Sequence, residues 1–418
     1  MTFKFFISDC GLAKEIIHLK IENQSGQSLF SFKTPLRICK EDWDSKKQRP
    51  SNIYLKRYKK INAKLDALKI RLTECIEEDR SKGKLSSQRY LFKEIKNLCS
   101  KEKEVCPKDS LLYFINMYIS SKKEYICQST YKRYKVFFNL IERFEGFTAR
   151  RLYVNTIDGD FIRRFISFGK EESYSDNTIY RTIHFVKTIL NFAERKGIRT
   201  AVREFDIRRE RQNRIVINLS ENEVMKIVKM KVPEELQAAK DWLLISCYTG
   251  QRISDFMKFN SDLLKKVNDR VCISFIQQKT KKEILLPTHP VVLEIIRRYK
   301  NNFPQKLSAK KYNNHIKQIG RIAQLTEPVN AVKRIGHRVK KLIVEKWEVI
   351  TSHIGRRSFA TNFYGKIPTP LLMQATGHTT EQMFLKYINP VDESHIISLG
   401  NYFDKTYKES YFAGMAAS

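Results

Sequence analysis

Between Ser110 and Gly197 the chain reads as four consecutive segments, each about one helix long: SLLYFINMYISSKK, TYKRYKVFFNLIERFEG, DGDFIRRFISFGKEE and SDNTIYRTIHFVKTILNFAERKG. This run constrains the fold more than any other feature, because amphipathic helices joined by short turns must bury their apolar stripes against one another. Ser175, Asp176 and Asn177 form an N-cap cluster ahead of the last segment, and Gly197 suits its end. Lys and Arg are interleaved among Tyr and Phe along the run. The aromatics serve either as the core of the bundle or as part of a binding face.

The flanks read differently. Residues 15–40 carry β-favouring runs on either side of the turn-like Asn23-Gln-Ser-Gly26, and KEDWDSKKQRP is a polar loop. Helical periodicity then begins, with Ile61, Leu65, Leu68, Leu72 and Ile76 spaced 4, 3, 4 and 4. The lysine-rich stretch Ser100 to Asp109 is expected to be a linker. Beyond the four helices, residues 201–217 are arginine-rich and lack periodicity. Ser220 and Glu223 then make a capping-box pattern, and helices alternate with a strand pair around VCISFIQQKTKKEILLPTHP that turns at Lys279–Lys282. The expected class is mainly α with small β-sheets (α+β). The expected domains are residues 1–100, 105–200 and 213–400, with a tail at 401–418.

Charge narrows the partner. Lys and Arg total 78 against 45 Asp and Glu, a formal net charge of +33. Residues 1–200 hold 41 basic and 24 acidic residues, and residues 251–350 hold 22 and 8. The excess therefore runs through several domains and is not one basic tail. Each phosphate neutralised by Lys or Arg releases condensed counterions, so nucleic acid is the expected partner. The four-helix run then reads as a DNA-clamping bundle, and residues 201–217 as a linker lying on a nucleic-acid backbone.

Other classes recede. The eight cysteines include no C-x-x-C pair, which fits a reduced, cytoplasmic chain. No stretch approaches the ~18–20 apolar residues of a membrane span, and no targeting signal is apparent. The eight histidines are scattered without metal-ligand spacing. Gly-rich phosphate loops are absent. No cofactor, metal or membrane partner is expected.

The residues that carry chemistry lie in the third domain. They are Tyr248-Thr-Gly-Gln-Arg252-Ile-Ser-Asp255, then Lys279-Thr280 at the hairpin, then His353-Ile-Gly-Arg356-Arg357-Ser-Phe-Ala-Thr361, then Gly377-His378, with Tyr387 nine residues beyond the histidine. Each alone is a weak signal; their order and spacing together are not. In that order they resemble the tyrosine recombinase (phage integrase) family, whose signature is an arginine after T-G, a hairpin lysine, H-x-x-R, a G-H histidine and a tyrosine nine residues on. Arg252, Lys279, His353, Arg356, His378 and Tyr387 match it. SHIGRRSFATNFY and TGHTTEQMFLKYI look like integrases of Bacteroidetes mobile elements. The resemblance also covers the first hundred residues, similar to an arm-type DNA-binding domain through ICKEDWDSKKQR and the long helix after it. It covers residues 105–200 as a SAM-like core-binding domain. Lys281 and Lys282 compete with Lys279 for the hairpin role, and Thr376 stands where many members have Leu, a change expected to alter packing only.

The resemblance implies site-specific recombination through a 3′-phosphotyrosine link, integrating or excising a mobile element. Tyr387 is the nucleophile, and its ordinary pKa of ~10 requires neighbours that ease proton loss. Arg252 and Arg356 fork onto the non-bridging phosphate oxygens. Lys279 protonates the departing 5′-oxygen as general acid. His353 and His378 hydrogen-bond the phosphate or assist proton transfer. Asp255 is expected to orient Arg252 or cap a neighbouring element, and Arg357 to make an ion pair or a DNA-backbone contact. The implied partners are double-stranded DNA at core and arm-type sites, a host DNA-bending protein and an excision factor. The chain is expected to be a monomer in solution and a homotetramer on DNA. A tail helix carrying Ile396, Ile397, Leu399, Tyr402 and Phe403 is expected to dock on a neighbour, the alternative being that it folds back on its own domain. Two other readings stay open: a resolvase, invertase or topoisomerase with the same chemistry, and a DNA-binding architectural or regulatory protein of the same fold without cleavage. The arm-like first domain favours an integrase over the former, and the complete residue set speaks against the latter.

Overall fold

Why the N-terminal run MTFKFFI folds as a strand is visible in its alternation: Phe3 and Phe5 are buried while their neighbours are exposed. In the computed structural model this strand, β1 (Thr2–Ile7), pairs with β2 (Glu15–Glu22), which pairs with β3 (Ser28–Ile38), all antiparallel. The register sets Phe3 opposite Ile21 and Phe5 opposite Leu19, so period-two alternation collects one apolar face. The structure describes residues 1–8, 14–51, 55–100, 106–207, 216–335, 338–388, 400–402 and 404. They fall into two compact units, residues 1–211 with 334–340, and residues 212–333 with 341–418.

In the first unit a short hairpin, β4 (Trp43–Asp44) and β5 (Arg49–Pro50), leads to the helices α1 (Lys56–Ser81) and α2 (Gln88–Ser100). Leu65, Leu68 and Leu72 of α1 are fully buried with Leu91 and Ile95 of α2 against the sheet residues Ile17, Leu19 and Ile21. The bundle follows as α3 (Leu111–Lys122), α4 (Gln128–Thr148), α5 (Gly159–Glu171) and α6 (Asp176–Glu194). Ser175 caps α6 by accepting from the Thr178 amide, and Gly197 adopts a positive φ after its end.

The bundle settles the role of the aromatics. Phe137, Phe144, Phe161, Phe165, Phe168, Tyr174 and Phe185 are core, and Phe144 meets Phe161 and Phe165 edge-on at 5.6 and 5.2 Å. Two readings of connecting segments change. Val202 and Phe205, at the start of the arginine-rich stretch, are buried in the bundle core, so that part of the segment is packed structure; residues 208–215 lie outside the described residues. The stretch Ser100 to Asp109 does not separate two independent bodies, because α1 packs along α4, with Glu74 on Arg151 at 3.1 Å.

The second unit holds α7 (Glu221–Lys229), α8 (Glu234–Thr249), α9 (Ile253–Phe256), the antiparallel sheet β6 (Leu264–Val267), β7 (Arg270–Ile276), β8 (Glu283–Pro287), then α10 (Pro290–Arg298) and α11 (Ala309–Ile322). The paired strands β9 (Pro328–Ile335) and β10 (Arg338–Glu345) precede α12 (Lys346–Val349), α13 (Ile354–Phe363), α14 (Thr369–Thr376) and α15 (Glu381–Leu385). The Ser220–Glu223 capping box forms in both directions. The core gathers Trp242, Leu243, Phe256, Ile273, Ile295, Tyr312, Ile316 and Ile354 around α8. The mainly helical, small-sheet class expected above is the one observed. Among the described residues no helix is long and apolar enough to cross a membrane.

Candidate active site

Arg356 is built into the second unit from below. Helix α13 lies so close on α8 that a Cβ at Gly355 would meet Ser246 Oγ at 1.8 Å, an approach only glycine allows. The next residue, Arg356, is wholly buried and donates from Nη1 to the Gly250 carbonyl at 2.9 Å and from Nη2 to His378 Nε2 at 3.0 Å. Among the described residues its Nε has no partner. Burial, then the charge of Arg252, pulls its pKa down to about 10, which leaves it cationic at neutral pH. Arg252 follows the left-handed Gly250 that ends α8, and its backbone starts α9. Two guanidinium groups are thus held within electrostatic reach of each other, an arrangement that repels until an oxyanion sits between them.

His378 and Tyr387 close the site. The His378 ring centroid is 4.9 Å from that of Tyr387, and the Arg356 Cζ lies 5.3 Å from the Tyr387 ring. Burial, followed by the charges of Arg356, Arg252 and Lys282, lowers the His378 pKa to about 3, so its imidazole is neutral. Tyr387 does not ride on a helix. Helix α15 stops at Leu385, and the Tyr387 and Ile388 amides bond three residues back to Phe384 and Leu385, a tightened last turn. Thr361 donates to the Tyr387 carbonyl at 3.4 Å. Pro390 and the tail residues Ile396, Ile397, Leu399 and Phe403 lie outside the described residues, and Tyr402 is exposed.

His353 is the N-cap residue of α13 and reaches solvent. Partial desolvation lowers its pKa, reinforced by the charges of Arg357, Arg356, Arg252 and Lys279, so it too is biased toward the neutral form. Arg357 turns out to share this site. It is half-buried, and desolvation lowers its pKa while Tyr387 counters the shift. Among the described residues it makes no ion pair.

The hairpin lysines occupy the turn between β7 and β8. Lys279 is exposed there and acts on His353; Lys282 is half-buried and acts on His378; Lys281 takes a positive φ of 57°. What aims this turn is a residue without a motif. Gln277 is wholly buried; its Oε1 accepts from Arg252 Nη1 at 3.3 Å and from Thr280 Oγ1 at 2.6 Å, and its Nε2 donates to Gln251 Oε1 at 2.9 Å and the Thr376 carbonyl at 3.1 Å. It sits so tightly under Gly377, at φ 71°, that a Cβ there would meet its Oε1 at 2.3 Å. Gln251 extends the network to the Ala375 carbonyl at 2.7 Å. Asp255 caps the turn by accepting from the Gln278 amide at 2.9 Å; it is the hairpin that it orders. Sequence reading missed Gln277, whose only signal was a polar amide just past an apolar strand, and Gln251, a polar amide between the end of α8 and the start of α9.

Residues 218–394 match the phage integrase family, and residues 110–203 match the phage integrase SAM-like domain. No curated protein matches the chain. Among solved structures, the Tn1549 transposon integrase in complex with a circular intermediate DNA is similar at a TM-score of 0.53 and 15% identity, over 71% of this chain and 100% of that one. The Tn1549 transposon integrase in complex with transposon right end DNA gives a TM-score of 0.52 and 11% identity, over 71% of this chain and 99% of that one. At these identities the likeness is one of fold.

Proposed function

We propose that the chain, whose residues 218–394 match the phage integrase family, is a site-specific DNA recombinase that integrates or excises a mobile element by cutting and rejoining DNA through Tyr387. The observation that carries this reading is the convergence of Arg252, Arg356, His353, His378 and Tyr387 around one spot rich in positive charge. A phosphodiester is the ligand that relieves the mutual repulsion of those cations. The Tyr387 oxygen attacks phosphorus and the bond to the 5′-oxygen breaks, giving a 3′-phosphotyrosine and a 5′-hydroxyl. His353, biased to neutrality, takes the phenol proton; Lys279 gives one to the leaving oxygen. Rejoining runs the same steps backward with a new 5′-hydroxyl, so no nucleotide is consumed. Arg356 Cζ lies over the Tyr387 ring at 5.3 Å, which puts the nucleophile beside the cation that would hold the phosphate.

The finer reading is of a Bacteroidetes mobile-element integrase, supported by SHIGRRSFATNFY and TGHTTEQMFLKYI. Residues 1–100 bind arm-type sites in this reading, and the bundle and catalytic domain hold the core site. The chain works in the cytoplasm as a monomer that forms a tetramer on paired DNA, with a host DNA-bending protein and an excision factor. A nicked suicide substrate tests the central claim: a covalent protein–DNA adduct is the expected product, and its absence under conditions of tight binding would favour the architectural reading.

Two further results are expected. Charge on the phosphoryl group is neutralised by side chains, so adduct formation should persist in EDTA with no added nucleotide; loss on chelation, restored by a divalent cation, would contradict this. Gln277→Ala removes the acceptor of Arg252 and leaves the Gln251 and Thr376 oxygens buried without donors, at about 1–3 kcal/mol for each unpaired group. Misplacing Arg252 and the hairpin together should slow single-turnover cleavage by roughly 10²-fold while gel-shift affinity stays within a small factor. Unchanged cleavage would remove Gln277 from the positioning role.

A further inference from the structure

We propose that Thr376 is a positioning residue that fixes the tautomer of His378, and through it holds Arg356 in place for the reaction. The proposal rests on the recombinase reading of the site. At the sequence level Thr376 was expected to matter only for packing. In the structure its side chain is wholly buried and its hydroxyl has three partners: the Leu372 carbonyl at 2.6 Å, the Met373 carbonyl at a longer 3.4 Å, and His378 Nδ1 at 2.9 Å.

A hydroxyl has one proton. At 2.6 Å from a carbonyl that proton must point at Leu372, since two bare oxygens at that distance repel. Toward His378 the hydroxyl can then only accept, so Nδ1 carries the imidazole hydrogen. The opposite end of the ring gives the same answer independently. Nε2 lies 3.0 Å from Arg356 Nη2, and a guanidinium can only donate. Nε2 must therefore be the bare nitrogen. The alternative neutral tautomer would set N–H against N–H at Arg356 and lone pair against lone pair at Thr376 or Leu372. A doubly protonated ring fails at Arg356 as well, in keeping with the strongly depressed pKa of this histidine.

The result is one directed chain: Arg356 donates to His378, His378 donates to Thr376, and Thr376 donates to the last turn of α14 through Leu372. The Thr376 carbonyl is itself held by Gln277, which also binds Arg252. The two arginines are thereby tied to one helix end. A leucine at this position fills space but leaves Nδ1 without a partner, and a neutral imidazole without that partner is free to place its hydrogen on either nitrogen.

The test uses the full chain labelled with ¹⁵N-histidine, with His378→Asn identifying the His378 signals. Wild-type protein is expected to show His378 as the neutral Nδ1–H tautomer in long-range ¹H–¹⁵N spectra; an Nε2–H tautomer would overturn the proposal by itself, whether or not the protein cleaves DNA. Thr376→Val keeps volume and removes the hydroxyl. It should abolish the single tautomer and slow single-turnover cleavage by about tenfold or more, while Thr376→Ser restores both. A valine variant with unchanged tautomer and rate sinks the proposal, as does a serine variant that folds but fails to restore them. Absence of cleavage by wild type would strike the recombinase reading alone, since the tautomer is read without DNA.

Discussion

Tyr387→Phe is expected to bind its core DNA with unaltered affinity and to yield no covalent adduct on a suicide substrate. Only the hydroxyl is lost. The ring remains to pack beside His378 at a centroid distance of 4.9 Å and over Arg356 at 5.3 Å, so the shape and charge of the cleft persist. Among the described residues no other tyrosine is placed to substitute. Tyr364 sits at the end of α13 with its ring near Phe384, in the small core under α14 and α15, and Tyr402 is exposed beyond the site. Because the chemistry itself is removed, loss should exceed the ~10²–10³-fold typical of deleting a single charge-stabilising donor. An adduct band formed by the phenylalanine variant at a rate near wild type would remove Tyr387 as the nucleophile. Slow adduct formation traced by peptide mapping to another tyrosine would do the same.

The parts of the site that were legible in the sequence are those written into one local stretch. The turn after Thr249 requires Gly250, and Arg252 follows two residues on; His353 and Arg356 are one helical turn apart at the start of α13; Gly377 ends α14 beside His378. What holds these stretches together was not legible. Gln277 reaches Arg252 across 25 residues and Thr376 across 99, and an amide's partners depend on tertiary placement that no spacing rule encodes. Thr376 looked like a packing substitution because its hydroxyl acquires meaning only when Arg356 fixes the far side of His378. In the fold, the long periodic pattern from Ile61 to Ile76 did identify α1, and Ser220 with Glu223 did mark the start of α7. Strand β1 was passed over because six residues of alternation are hard to separate from a short apolar run, and β6 because LKKV buries almost nothing. Beside the packing of α1 on α4 lies the pair Glu74–Arg151, whose members are 77 residues apart, beyond the reach of any spacing rule.

Arg356→Lys should leave the protein folded and DNA-binding, yet slow cleavage by roughly 10²–10³-fold, the scale of losing a preorganised oxyanion donor. The geometry explains why conserving the charge does not conserve the function. Arg356 makes its two bonds with two different nitrogens of one rigid plane, to the Gly250 carbonyl and to His378 Nε2. That anchoring sets the orientation of the remaining N–H groups, which are the ones left for phosphate oxygens. An ammonium on a flexible stem can replace one of these bonds but cannot hold both and still present a fork. Whichever group it abandons, the Gly250 carbonyl or His378 Nε2, is then left without a donor at a cost of about 1–3 kcal/mol. A modest fall in thermal stability should therefore accompany the kinetic loss. Gel-shift affinity, carried by the basic surface as a whole, should change little. Single-turnover cleavage measured beside a melting curve separates the outcomes: a stable lysine variant that cleaves at near wild-type rate would show that charge alone suffices and that the fork has no part in the transition state.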